Sequence, residues 1–265
     1  MSAAMATLSE TMKTRTIVSS EDWIIPDWPA PPNVRSLVTT RRGGVSGGAY
    51  ASFNLGAHVG DDPAHVAENR RRLAVSLPAL PLWLNQKHGV GAIDADTAAT
   101  DGAPPDADAA IARSTHKICA VLIADCLPVL LCDQAGSVVA AAHAGWRGLL
   151  AGILVHTVAA MRLPPAEMLA YFGPAIGPQA FEVGSEVRAA FVAADAQADA
   201  AFTALPSDKW LANIYLLAQQ SLARLGVKAI YGGEYCTVCE EERFFSYRRD
   251  GTTGRMAALI WREKE

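Results

Sequence analysis

The chain has 265 residues, of which 51% are hydrophobic, and its formal net charge is −4. This composition allows a substantial hydrophobic core, and the acidic balance argues against a nucleic-acid groove, which needs a basic surface. Five cysteines, mostly within apolar runs, favour a reducing compartment, and no stretch reaches membrane-spanning length without charge or proline. We therefore expect a cytoplasmic protein that binds neither nucleic acid nor membrane.

Hydrophobic patterning predicts strands and helices that neither alternate strictly nor segregate along the chain. Residues 1–20 are polar and are expected to form a disordered tail before a single domain over residues 21–265. Predicted strands cover 34–39, 83–84, 121–124, 129–131, 137–142, 169–172, 227–231 and 256–261. Predicted helices cover 63–77, capped by Asp62, and 149–162, 186–200 and 208–225. Because no repeat or linker divides the chain, an α+β fold is expected.

Reactive side chains lie where predicted strands end. Cys126 follows Asp125 after one strand, His143 closes another, and His88 lies at the exit of the short strand 83–84. A single cysteine in an apolar run is usually inert, but Asp125 is costly to bury, and Pro128 is expected to interrupt the strand. Strand ends are rigidly held yet accessible, so we expect the three reactive side chains to converge.

Two imidazoles and a thiol form a His₂Cys set that permits two kinds of chemistry. With zinc, three protein ligands leave a fourth position open, as in catalytic zinc sites. Without metal, His143 can deprotonate Cys126 and make it a nucleophile. The pair Cys236 and Cys239 has no partner pair with zinc-site spacing and precedes an acidic turn, which favours a structural role.

A basic, glycine-rich loop covers residues 41–48 after the first predicted strand. Its backbone amides beside Arg41 are suited to binding an anion. The loop lacks the Lys-Ser/Thr of a nucleotide P-loop, so the pattern alone identifies no ligand.

Long motifs along the chain resemble the laccase-domain family, whose members are also called YfiH-like proteins, multicopper polyphenol oxidases or peptidoglycan editing factors. The motifs are TTRRGGVS at 39–46, SFNLG at 52–56, NRR at 69–71, QKHG at 86–89, ADCLP at 124–128, AHAGWRG at 142–148, GPAIGP at 173–178 and FFSYRRDG at 244–251. They extend over nearly the whole chain after about Trp23. Lys87 departs from the family pattern, in which an apolar residue is more usual before the histidine.

The resemblance implies a mixed α/β sandwich related to the catalytic domain of a deamidating bacterial toxin. It assigns the metal-binding and catalytic roles, usually with zinc, to His88, Cys126 and His143. Arg41 falls on a family arginine and is expected to hold phosphate or a substrate hydroxyl. Asn54 and Arg70 lie in neighbouring motifs and are further candidates for binding substrate or phosphate.

The family is associated with purine nucleoside phosphorolysis, adenosine deamination and editing of a cell-wall precursor. The expected function is a zinc-dependent purine nucleoside phosphorylase, with adenosine deaminase activity, acting on small molecules as a monomer or weak homo-oligomer. The alternatives are an amide hydrolase that edits UDP-MurNAc-dipeptide precursors and a zinc-stabilised binding module. Copper laccase chemistry is disfavoured, because six histidines without a His-x-His pair are too few for a copper cluster.

Overall fold

The structure is a computed structural model that describes residues 22–98 and 102–264. The strands within these ranges are β1 (Val34–Val38), β2 (Pro81–Leu82), β3 (Ala92–Asp94), β4 (Ala109–Ala112), β5 (Ile118–Ile123), β6 (Leu127–Asp133), β7 (Val139–Ala144), β8 (Met168–Phe172), β9 (Glu182–Gly184), β10 (Phe202–Leu205), β11 (Lys209–Ala212), β12 (Ala229–Gly232) and β13 (Met256–Arg262). The α-helices are α1 (Pro63–Val75), α2 (Trp146–Ala151), α3 (Ile153–Met161), α4 (Ser185–Ala194), α5 (Ile214–Leu225) and α6 (Tyr247–Asp250).

The strands form three sheets. A four-stranded sheet has the order β1-β13-β5-β2, and a six-stranded sheet has the order β12-β8-β6-β7-β4-β3. The small third sheet has the order β10-β11-β9. The two larger sheets pack face to face; α1 covers the outer face of the four-stranded sheet, and α2, α3 and α5 cover the outer face of the six-stranded sheet. The result is the mixed α/β sandwich expected from the sequence, and it explains why so few strands alternate between polar and apolar residues.

Strand β6 shows how the layers are built. Successive side chains of a strand point to opposite faces. Leu127, Val129 and Leu131 pack in the core shared with the helices, while Leu130 and Cys132 pack between the two sheets. Both faces are therefore buried, which accounts for the continuous apolar run of this segment.

Pro128 does not interrupt the strand, so that expectation was wrong. It lies inside β6 opposite His143, and its carbonyl accepts a hydrogen bond from the Gly173 amide at 3.0 Å. Pairing with β8 begins only at Val129, so the missing N–H of the proline leaves no gap in that ladder.

Several predicted boundaries were also wrong. The helix predicted over 149–162 is two helices, α2 and α3, separated by Gly152 in the left-handed region at φ 98°. The helix predicted from 208 begins only at Ile214, because Lys209–Ala212 forms β11 and Asn213 caps α5 by accepting from the Leu216 amide. The predicted strand 83–84 lies two residues earlier, as β2, and the helix predicted over 186–200 ends at Ala194.

The predicted disordered tail, residues 1–20, lies outside the described residues. Among the residues that are described, we find no helix with the length and apolar character needed to cross a membrane.

Candidate metal and catalytic site

His88, Cys126 and His143 converge from three parts of the scaffold. His88 lies in the loop after β2, Cys126 in the turn where the chain crosses from β5 in one sheet to β6 in the other, and His143 near the end of β7. Their ligand atoms all lie within 4.8 Å of one another, and the Cys126 Sγ is 3.6 Å from the His88 Nε2. The imidazole rings meet edge to face with centroids 4.8 Å apart. The structure thus brings together the three residues selected from the sequence.

Asp108, a residue that the sequence analysis missed, positions both histidines. Its Oδ1 accepts from the His88 amide at 2.9 Å, and its Oδ2 accepts from the amides of Lys87 at 3.1 Å and Gly89 at 2.7 Å. Its Oδ1 is also 2.9 Å from the Nδ1 of His143. This contact leaves the Nε2 of His143 for the site, as a carboxylate commonly does for a metal-ligating histidine.

Asp125 holds the turn that presents Cys126. It has a φ of 89°, which is uncommon for a residue other than glycine. Its carboxylate accepts hydrogen bonds from the Thr237 hydroxyl and from the Arg248 amide, both at 2.6 Å, and its carbonyl accepts from the Ile176 amide at 2.9 Å. These contacts stabilise the buried carboxylate and fix the backbone from which the thiol projects.

The local electrostatics favour an ion pair between the thiol and an imidazole. Burial raises the pKa of Cys126, but the charge of His143 and hydrogen bonds from both histidines outweigh it and lower that pKa to about 6. Burial lowers the pKa of His143, but the Cys126 thiolate and Asp108 outweigh it and raise that pKa to about 9. Cys126 therefore has the thiolate character that both metal ligation and nucleophilic attack require.

The three residues open onto a cleft of about 560 Å³. Apart from them, its lining comprises His58, Gln86, Leu122, Ala124, Asp125, Trp146, Arg147, Ile176, Phe181, Ile214, Tyr247, Arg248 and Arg255. Apolar and aromatic side chains therefore stand beside three arginines. Such a cleft suits a ligand that combines a flat apolar part with an anionic group.

The positive charge in the cleft is largely unpaired. The Arg147 side chain makes no hydrogen bond or ion pair to the described part of the chain, and its guanidinium lies 4.4 Å from the centroid of the Trp146 ring. The guanidinium groups of Arg248 and Arg255 donate to backbone carbonyls rather than to carboxylates. The pKa of His58 is lowered by burial and then by the charge of Arg255, as expected in a cationic environment.

The three predicted substrate-binding residues lie outside this cleft. Arg41 donates to the Ala51 carbonyl at 2.9 Å and to the Glu241 carbonyl at 3.0 Å. Both Nε and Nη2 of Arg70 donate to the Leu55 carbonyl.

Asn54 is fully buried, and its amide group bonds to the Gly56 backbone, Asp61 and the Arg255 amide. These contacts serve the loop structure, so a substrate role for the three residues stays a prediction.

The donor chemistry of the cluster fits zinc. Two imidazole nitrogens and a thiolate are ligands that zinc accepts, and three protein ligands facing a cleft leave a position for water or substrate. Asp108 behind His143 supplies the outer hydrogen bond typical of such centres. Within residues 22–98 and 102–264 this is the one group of three or more metal-ligating side chains. Fold and site together describe a mixed α/β sandwich protein with a His₂Cys centre in an open cleft.

The chain belongs to the multi-copper polyphenol oxidoreductase laccase family, whose profile matches residues 35–263. It is 55% identical over 243 residues to the purine nucleoside phosphorylase YfiH of Escherichia coli K12, covering 90% of this chain and 98% of that protein. It is 52% identical over 242 residues to a purine nucleoside phosphorylase of Pseudomonas aeruginosa, with the same shares covered. The chain is accordingly an enzyme of this family.

Solved structures agree with the fold. A Neisseria meningitidis protein superposes with a TM-score of 0.88 at 53% identity, covering 92% of this chain and 100% of that one. The protein YlmD of Geobacillus stearothermophilus superposes with a TM-score of 0.85 at 33% identity, covering 92% and 97%. The fold expected from the sequence motifs is confirmed.

Proposed function

We propose that this enzyme is a zinc-dependent purine nucleoside phosphorylase that converts adenosine, inosine or guanosine and phosphate to the free base and ribose 1-phosphate. The observation that carries the proposal is the cleft itself, in which the His₂Cys centre stands beside unpaired arginines and aromatic walls. The similarity to proteins named purine nucleoside phosphorylase supports it. We further propose a cytoplasmic location, and a monomer or weak homo-oligomer that binds neither nucleic acid nor membrane.

Phosphorolysis breaks the bond between the ribose C1′ and the purine nitrogen while a phosphate oxygen forms a new bond to C1′. Arg147, with no partner among the described residues, and its neighbours Arg248 and Arg255 are suited to holding the phosphate dianion. Trp146 and Phe181 provide aromatic faces for the planar base. The enzyme thus contributes by holding the two reactants in one geometry and by stabilising charge.

His88, Cys126 and His143 would hold the zinc. When bound, zinc polarises a substrate oxygen or lowers the pKa of a water molecule, which is the chemistry that a hydrolytic deamination of adenosine at the same centre requires. Asp108 keeps the His143 ring oriented towards the centre. Copper laccase chemistry stays disfavoured, because the described residues supply one three-ligand group rather than the several that a multicopper oxidase needs.

A second candidate function is amide hydrolysis that edits a UDP-MurNAc-dipeptide precursor. The observation in its favour is that Cys126 interacts with His143, which in turn contacts Asp108. This arrangement resembles a catalytic triad in which a thiol is the nucleophile, an imidazole is the base and a carboxylate orients the base. A zinc-stabilised binding module is less well supported, because a structural zinc site is normally closed by a fourth protein ligand. No fourth ligand accompanies the three within the described part of the chain.

Initial rates with inosine and adenosine at varied phosphate concentration test the proposal. Replacing Arg147 with alanine should raise the KM for phosphate about ten- to a hundredfold, since a charge-assisted bond to an anion contributes roughly 1.5–3 kcal/mol. Arg41→Ala removes an arginine that lies outside the cleft, and it tests separately whether the phosphate role predicted for Arg41 holds. Cys126→Ala should abolish turnover of every substrate.

A wild-type rate that is indifferent to phosphate would reject phosphorolysis. Hydrolysis of an amide bond of a UDP-MurNAc-dipeptide by the wild type, lost in Cys126→Ala, would then favour the amide hydrolase.

A further inference from the structure

Cys236 and Cys239 form a close thiol pair that the proposed reaction does not use. Their Sγ atoms are 3.1 Å apart. Cys239 is exposed and Cys236 is partly exposed, so small reagents can reach the pair. The Cys236 Sγ also accepts hydrogen bonds from the amides of Gly177 at 3.3 Å and Cys239 at 3.4 Å.

The residue between the cysteines connects them to the candidate site. The amide of Thr237 donates to the Ala175 carbonyl at 3.0 Å, and its fully buried hydroxyl donates to Asp125, the residue before Cys126. The segment between the two cysteines is therefore joined by one hydrogen bond to the turn that presents the reactive thiol and by another to the turn 173–178.

The pair also packs tightly against the turn 173–178. A Cβ at Gly177 would lie 2.9 Å from both the Cβ and the Sγ of Cys236, so glycine is required for this approach. The preceding residue, Ile176, lines the cleft and donates its amide to the Asp125 carbonyl. The Cys236 side chain is therefore in direct contact with a turn that lines the cleft.

We propose that Cys236 and Cys239 are a redox modification site, at which a reversible intramolecular disulfide repositions the turns 125–126 and 173–178. A disulfide requires an S–S distance of about 2.05 Å, so the sulfurs must approach by about 1 Å. That movement changes the contact between the Cys236 Sγ and the Gly177 amide. A displacement of this size in a residue that supports a catalytic group can lower turnover by about tenfold or more.

The oxidant is a small disulfide of the glutathione class. The Cys236 thiol loses its proton to solvent and attacks one sulfur of the small disulfide, forming a mixed disulfide and releasing one small thiolate. The Cys239 thiol then loses its proton to solvent and attacks the Cys236 sulfur, forming the intramolecular bond and releasing the second small thiolate. The protein dithiol loses two electrons and two protons, and one small disulfide is reduced to two thiols.

The test incubates full-length protein with oxidised glutathione and maps disulfides by mass spectrometry. The expected product has lost two hydrogens, carries a Cys236–Cys239 linkage and returns to the starting mass with dithiothreitol. Cys239→Ser is the matched control, since it keeps a polar side chain at the exposed position but cannot close the bond.

Hydrogen exchange measures the coupling to the site independently of any substrate. Oxidised wild type should exchange faster in residues 173–178 than reduced wild type. Cys239→Ser should stop at the mixed disulfide on Cys236, and a variant with both Cys236→Ser and Cys239→Ser should exchange alike in 173–178 with and without the oxidant. Turnover, which rests on the proposed function, should fall about tenfold in the oxidised wild type alone. The proposal is overturned if the pair stays reduced under oxidant that converts a reference dithiol, or if the disulfide forms without changing exchange in 173–178.

Discussion

Asp108 is the residue on which the geometry of the candidate site most depends. Its single carboxylate accepts from the amides of Lys87, His88 and Gly89 and contacts the Nδ1 of His143. Burial raises the pKa of Asp108, but its hydrogen bonds from His143 and the Gly89 amide outweigh burial and keep that pKa below the ordinary value. An ionised Asp108 therefore orients one histidine ring directly and the other through the backbone.

Asp108→Asn should weaken zinc binding about ten- to a hundredfold, as loss of an outer hydrogen bond to a ligand histidine typically does. An asparagine amide cannot accept four contacts, so the loop of His88 also loosens. Competition with a zinc chelator measures the affinity. Asp106→Asn is the matched control, because Asp106 is an exposed aspartate in the same segment that bonds to Asn85 instead. Equal zinc affinity in both variants would contradict the role assigned to Asp108.

Among the secondary-structure elements, the start of α2 is the one that packs most tightly against the site, because its first residues lie directly beside the side chains of Cys126 and His88. Gly145 precedes α2 with ordinary dihedral angles, φ −63° and ψ 156°. A Cβ at this position would lie only 2.8 Å from the Cys126 Sγ and 2.9 Å from the Cδ2 of His88. Glycine is required here because any side chain would clash with these atoms, whereas the backbone conformation itself is open to every residue.

Gly145→Ala should therefore lower zinc affinity and turnover by about tenfold or more through displacement of the ligands, while leaving the free energy of unfolding of the zinc-free protein nearly unchanged. Isothermal titration with zinc and urea unfolding of the zinc-free protein measure the two quantities. Gly47→Ala is the control, since a Cβ there meets nothing within 4 Å. Unchanged zinc affinity in Gly145→Ala would show that the close approach of Gly145 to Cys126 and His88 is not needed for zinc binding.

At the scale of the whole molecule, the three ligands join its two main sheets. Cys126 lies in the crossover from the four-stranded to the six-stranded sheet, His143 belongs to the latter, and His88 follows a strand of the former. Cys126 lies 38 residues after His88 and 17 residues before His143, so an unfolded chain does not bring the three side chains together. Zinc binding and folding should therefore be linked.

Zinc at about one hundred times its dissociation constant should stabilise the folded protein by about 2.7 kcal/mol, and a chelator should remove this gain. Thermal unfolding with and without zinc measures the shift in Tm. His88→Ala should lose most of the shift, whereas His58→Ala, which removes a cleft histidine outside the cluster, should keep it. A zinc-independent Tm in the wild type would mean that the cluster does not bind zinc in the folded state.

Residue type and spacing were enough to predict the three converging side chains and the main strands. His88, Cys126 and His143 stand out because each is a reactive side chain where a buried apolar run ends, and runs such as those of β6 and β13 are recognisable from residue type alone. The helix start at Asp62 and Pro63 follows from local hydrogen bonding and fixed φ, and the structure confirms it.

The residues around these three side chains could not be predicted in the same way, because they are brought together by folding. Arg41 was an obvious candidate for phosphate, yet its guanidinium bonds to carbonyls of Ala51 and Glu241, while Arg147 and Arg255, far apart in sequence, line the cleft. Asp108 likewise reveals its role only when the His88 loop lies against it. These contacts come from pairing between distant strands, whose partners are chosen by the packing of whole sheets and not by local sequence.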